Sequence, residues 1–263
     1  MKSDATATEM SFWDHLEELR GVLWRALIVV LVPMVVLFCF KDFIFDRVIL
    51  APLGKDFALY SFLNGVLARF GLGPVDVGDI SLINVDLAAQ FFTHVKVSFN
   101  LALVIAAPVI FYLLWTFVRP ALYPKEREAA RGGFGFAGLL FYAGVLTGYF
   151  VVFPLTLHFL GSYQVSASVP NLISLNSYIG MMVSLILVMG LVFEMPVLAA
   201  ILYRLGLISK QLLRKYRRHA IVVLMILSAV ITPSGDAFTM LMVSIPLYLL
   251  YELSILVCVN KNL

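Results

Sequence analysis

Charge is what this chain has least of. Asp, Glu, Lys and Arg together make up 13% of its 263 residues, against 62% apolar residues, and its mean hydropathy is +0.97. A water-soluble domain draws about 25% of its residues from the charged types, so this chain lacks the polar surface of a soluble globule. Cysteine is nearly missing: the two present, Cys39 and Cys258, offer no zinc spacing. Gly-x-Ser-x-Gly, His-Glu-x-x-His and a nucleotide-binding loop do not occur, and neither do internal repeats or low-complexity tracts. These gaps argue against a metal site, a bound cofactor and an enzyme, which needs a nucleophile, base or metal constellation. The net charge of +3 gives no reason to expect nucleic acid as a partner. What remains is an integral membrane protein.

The apolar residues gather in continuous runs at 22–40, 97–118, 134–160, 178–203, 219–232 and 238–258. A bilayer-crossing helix needs about 20 such residues, and continuous runs speak against a barrel, whose strands alternate. The expected fold class is all-α: a polytopic bundle of six transmembrane helices. The fifth run is only about 21 Å long as a helix, too short to cross upright, and two short helices are expected at the end of the chain. Thr232-Pro233-Ser234-Gly235-Asp236 supplies the reversal between them.

Lys and Arg set the orientation. Residues 1–25 carry three, 119–131 four and 204–218 six, whereas 161–177 and 233–237 carry none. Both termini are therefore expected in the cytoplasm. The acidic N-terminus (Asp4, Glu9, Asp14) does not resemble a cleavable signal peptide. The chain reads as one membrane domain over 1–263, with a cytoplasmic N-terminal helix over 1–21 and a periplasmic cap over 41–96. In that cap Val66 to Phe70 has helical character, and Phe91, Phe92, Val95 and Phe99 recur at helical spacing leading into span 2. On this topology Cys39 and Cys258 lie at opposite faces and cannot pair.

Just before the first apolar run stands His15-Leu16-Glu17-Glu18-Leu19-Arg20. Ser11-x-x-Asp14 looks like a capping box opening its helix. Glu17 has Arg20 at i+3 as a partner. Glu18 has none, because positions 14, 15, 21 and 22 are Asp, His, Gly and Val. The second polar loop repeats the arrangement: Pro124 suits a first helical turn, Glu128 has Arg131 at i+3, and Glu126 meets only Ala129 and Ala130. Two readings of Glu18 and Glu126 stand open here: acids on a solvated helix surface, or carboxylates awaiting a cation from outside.

His15 to Arg20 resembles the His-Leu-x-Glu-Leu-Arg motif of the TatC family, the polytopic receptor of the twin-arginine protein translocase. Further similar segments follow in order: Ala51-Pro52-Leu53, Phe91-Phe92-Thr93, Phe117-Val118-Arg119-Pro120-Ala121-Leu122-Tyr123 with Glu126-Arg127, Tyr149 to Leu155, Phe193-Glu194-Met195-Pro196, and Thr232-Pro233 with Asp236. The chain departs from the pattern at Val22, where the family often has a second Arg. The resemblance implies a function: binding the twin-arginine signal peptides of folded cargo, with TatA- and TatB-type single-span subunits, other copies of the chain and membrane lipid as partners. It implies transport driven by the proton-motive force across the bacterial inner membrane. It also implies a binding surface of Glu18, Leu19, Arg20, Phe117, Tyr123, Glu126 and Arg127. Guanidinium forks of paired arginines can grip carboxylates bidentately, which gives the two free acids a use. For Phe117 and Tyr123 simple interfacial anchoring is the other reading.

Glu194 is an ionisable group inside an apolar span, where insertion costs about 2.5–3.5 kcal/mol for a central acid. Protonation or a buried hydrogen bond is one reading. A polar notch contacting partner subunits or the inserting peptide is the one the resemblance implies, with Tyr142 and Thr147 as neighbours. Pro52, Phe91, Lys96 and Asp236 fall to the cap and its assembly; for Lys96, His94 and Asp236 an interfacial anchor is the alternative. The basic run Arg214 to Arg218 reads as a topological anchor near anionic lipid heads. A secondary transporter using Glu194 is the competing function class, although such folds usually carry paired broken helices in two related halves.

Overall fold

The computed structural model describes residues 12–70, 80–121, 124–166, 168–169, 171–232 and 235–258; side chains of 12–15, 121, 124–126 and 128–134 lie outside that description. The fold is helical almost throughout. Helix α1 spans Phe12–Cys39, followed by the short α2 (Lys41–Ile44), a π turn (Phe45–Ile49), a 3-10 turn (Ala51–Leu53) and α3 (Ala58–Arg69). Strand β1 (Leu82–Ile83) precedes the long α4 (Ala89–Val118), and α5 runs over Pro124–Thr147. A π turn at Gly148–Val152 joins α5 to α6 (Phe153–Ser162). Then come β2 (Ile173–Ser174), α7 (Leu175–Val192), α8 (Met195–Arg204), α9 (Lys210–Lys215), α10 (Arg217–Ile231) and α11 (Ala237–Val257).

Among the described residues five stretches are long and apolar enough to cross a membrane: Leu16–Cys39, Ala89–Val118, Gly135–Ser162, Leu175–Arg204 and Ala237–Val257. The sixth helix, α10, has 15 residues. At 1.5 Å per residue it is about 22 Å long, which is the shortness its apolar run predicts. It pairs with α11 as a hairpin whose reversal follows from its residues: Gly235 takes φ 60 and Asp236 caps α11, its Oδ1 accepting from the Thr239 amide at 2.7 Å.

The centre of the bundle is α7. Ile179, Leu185 and Met189 are fully buried against Val152 and Phe153 on one side and Val243 and Leu247 of α11 on another. Small residues let α5 close on it. A side chain on Gly144 would run into the Met189 carbonyl, and one on Gly190 would stand 2.8 Å from Cε2 of Phe141. By contrast α1 is peripheral and packs antiparallel along α4, with Phe38 stacked on His94 at 4.0 Å near one end and Val30 on Ala102 and Ala106 in the middle.

At the end where α1 stops and α4 begins, an ordered cap sits on the spans. Helix α3 starts at Ala58, well before the Val66–Phe70 segment that sequence favours, because Phe57 and Tyr60 bury themselves against Tyr149. Three tyrosines from three elements tie down the irregular turns. The Tyr178 hydroxyl donates to the Ile49 carbonyl at 2.7 Å, that of Tyr149 to Val48 at 2.7 Å, and that of Tyr60 to Pro52 and Pro154, each at 3.3 Å. The carbonyls of Val48, Ile49 and Pro52 have left regular α-helix, so a tyrosine hydroxyl supplies the partner that the backbone there does not. A two-residue parallel pairing, Leu82 with Ile173 and Ile83 with Ser174, which the sequence did not lead one to expect, closes the cap from the other side.

Candidate functional site

The site is assembled from three helix ends at the opposite pole. Continuing the α1–α4 packing from Val30 and Ala106 by about three turns brings Glu18 alongside the last turn of α4, where half-buried Phe117 stands. A 3-10 turn, Arg119–Ala121, then leads by way of Leu122 and Tyr123 into α5, whose first turn carries Glu126. Pro124 opens α5 as its ring geometry favours. Glu18 and Glu126 therefore belong to the same pole of the molecule. Tyr123 lies outside the described residues, as does the side chain of Glu126. Arg127 is exposed.

Glu18 is half-buried, and its Oε2 is shielded from solvent with no hydrogen-bond donor among the described residues. An acceptor stripped of water and left unpaired costs about 1–3 kcal/mol, so the position favours any donor that arrives. The expected Glu17–Arg20 pair does not form: among the described residues neither side chain makes an ion pair. On an exposed helix face such a pair gains only about 0.5 kcal/mol, too little to hold two long side chains in register. Leu19 is half-buried and Arg20 exposed, and with Leu16, Leu23, Trp24 and Leu27 they line a shallow groove along α1.

Glu194 occupies the break between α7 and α8, with Pro196 in the first turn of α8. It is buried, its Oε1 has no hydrogen-bond partner among the described residues, and the Phe141 main chain lies beside its carboxyl group. The contacts of the expected neighbours Tyr142 and Thr147 are local. Thr147 donates to the Ala143 carbonyl of its own helix at 2.8 Å, and Tyr142 meets Phe141 edge-on. Phe141 is the residue that sequence reasoning missed. It is legible only once Gly190 is seen to make room for its ring.

The cap residues divide. Pro52 is buried and accepts the Tyr60 hydroxyl, and Asp236 is a helix cap. Phe91 is 60% exposed, because α4 turns Thr93, Val97 and Ser98 inward and its aromatic stripe outward. Lys96 is exposed and reaches across to α7. Among the described residues no cluster of His, Cys, Asp and Glu is built to hold a metal ion.

Fold and site together define a multi-pass helical membrane protein with a shielded carboxylate, lacking a donor among the described residues, at one pole and a tied cap at the other. The model of the family described as Sec-independent protein translocase protein (TatC) matches residues 14–246. The chain is 35% identical to the TatC protein of Blattabacterium sp. subsp. Periplaneta americana, over 94% of each chain. It is 33% identical to that of Escherichia coli, over 92% of this chain and 85% of the relative. A solved structure of a twin-arginine translocase receptor, TatC, in DDM superposes with a TM-score of 0.74 at 31% identity, covering 94% of this chain and all of that one. The chain belongs to the TatC family and is a protein-transport component of a Sec-independent translocase.

Proposed function

We propose that this chain is the signal-peptide receptor of a twin-arginine translocase in the bacterial cytoplasmic membrane, both termini in the cytoplasm. Glu18 and Glu126 each take one guanidinium of the paired arginines. Phe117, Tyr123 and Leu19 position the peptide beside them, and Arg20 and Arg127 frame the site. Glu194, in the α7–α8 break, contacts TatA- and TatB-type single-span subunits, and the proton-motive force drives folded cargo across. Glu18 carries this reading: a shielded carboxylate oxygen without a donor, at the pole from which Glu126 also projects its helix turn. Charged hydrogen bonds of about 1.5–3 kcal/mol each make such binding selective yet reversible.

A photoreactive residue at exposed position 119 tests both assignments at once. Glu18→Gln with Glu126→Gln is expected to abolish crosslinking to a twin-arginine peptide while TatA and TatB subunits still co-purify. Glu194→Ala is expected to do the reverse. Undiminished crosslinking in the double variant would remove the two acids from recognition, and peptide loss with intact assembly in Glu194→Ala would exchange the roles.

A further inference from the structure

Between α4, α5 and α7, below the cap, lies a cavity of about 230 Å³ that neither the acid site nor Glu194 touches. Val97, Leu101, Val104, Val183 and Ile186 line it, and it opens outward past Leu146 and Phe150, which are 53% and 38% exposed. Its two polar side chains each donate to a backbone carbonyl: Asn100 to that of Lys96 at 2.6 Å, and Tyr149 to that of Val48 at 2.7 Å. The wall therefore presents hydrocarbon to whatever enters.

A charge stands about one turn beyond the α4–α7 wall of the cavity. Lys96 sits one residue before Val97 on α4 and bends toward α7, its Nζ 3.5 Å from where a side chain on Gly180 would begin. Gly180 lies one turn from Val183 of the cavity wall. Lys96 makes no ion pair with a described residue, and Asp86 lines the adjoining recess without pairing with it. An uncommitted ammonium above an apolar slot that opens sideways from spanning helices matches one ligand chemistry: an anionic head on a hydrocarbon tail. A twin-arginine peptide, itself cationic, is repelled there.

We propose that this cavity is an anionic phospholipid site, with the lipid phosphate on Lys96 Nζ and part of one acyl chain between α4, α5 and α7. The ammonium is drawn to phosphate and the wall to the chain, so headgroup and tail are recognised by separate elements. The proposal does not depend on how Glu18 and Glu126 act.

Native mass spectrometry of the full chain with phosphatidylglycerol and phosphatidylcholine of identical acyl chains tests it. The unsubstituted protein is expected to hold one phosphatidylglycerol about tenfold more tightly than phosphatidylcholine, as one charged contact implies. Lys96→Gln is expected to bring that ratio within about twofold of unity and leave phosphatidylcholine binding unchanged, while Leu101→Trp, which fills the cavity, weakens both lipids. Val183→Phe serves the same purpose if Leu101→Trp lowers the melting temperature. Equal binding of the two lipids by the unsubstituted protein, or a preference that survives Lys96→Gln, overturns the proposal. So does unchanged binding after the cavity is filled, which would leave the slot to an apolar peptide segment or to nothing.

Discussion

Three tyrosines at one pole of the molecule and the acids of α1 at the other handle their polar groups in opposite ways. At the cap, the hydroxyls of Tyr149 and Tyr178 are committed to backbone carbonyls of a turn 101 and 129 residues away, and that of Tyr60 to the carbonyls of Pro52 and Pro154. At the other pole the α10–α11 hairpin is closed by Arg217 and Glu252 at 2.7 Å, but the acids of α1 find no ion-pair partner among the described residues. A polar group bonded inside the protein stabilises the fold and has nothing to offer a visitor. One shielded from water without a partner costs stability and keeps its capacity for binding. The cap reads as architecture and the α1–α4–α5 pole as a receiving surface.

That contrast breaks or sharpens in graded steps. The largest effect is expected from Tyr60→Phe with Tyr178→Phe. Removing two buried hydroxyls strands the carbonyls they serve and lowers stability by about 2–4 kcal/mol. Thermal unfolding in detergent reads the shift, and an unchanged midpoint would mean that the cap is not held by these bonds.

A smaller effect follows from titration. Burial pushes the Tyr60 phenol up from 10.0 to about 12. The folded state therefore holds its proton more tightly than the unfolded one. This contribution is complete below pH ~10 and is lost as the pH rises toward ~12, an effect on the order of 2 kcal/mol. The alkaline limb of the stability profile is expected to flatten in Tyr60→Phe; a limb identical in the two proteins would assign it to other groups.

The smallest effect belongs to the other pole. Glu18→Gln alone is expected to leave stability unchanged or raise it by up to about 1 kcal/mol, because it removes a shielded charge that has no donor among the described residues. A loss comparable to that of the tyrosine pair would place Glu18 in the architecture and erase the difference between the poles.

Much of the fold was legible because lipid imposes a simple rule: apolar runs of spanning length stand out, and the positions of the helices follow from them. Local punctuation was equally readable, as Pro124 at the start of α5 and Gly235-Asp236 before α11 illustrate. What escaped sequence reading is long-range. The bond from Tyr178 to Ile49 joins residues 129 apart, and the fit of Phe141 over Gly190 depends on two helices crossing. The early start of α3 has the same cause, since Phe57 and Tyr60 gain a helix only by burying against Tyr149. In the site, the lack of a partner for Glu18 among the described residues was visible from spacing, whereas its half-burial was not. The Glu17–Arg20 spacing suggested a bond that an exposed helix face does not sustain.

The account stands most directly on how a twin-arginine peptide is held. Its affinity, titrated against the protein in nanodiscs alongside a Lys-Lys counterpart, is expected to exceed that of the counterpart by at least about tenfold, because an ammonium cannot form the bidentate contact. In Glu18→Gln with Glu126→Gln the two peptides are expected to bind equally and weakly. An arginine preference that persists undiminished in the double variant would contradict the claim that these two carboxylates receive the pair.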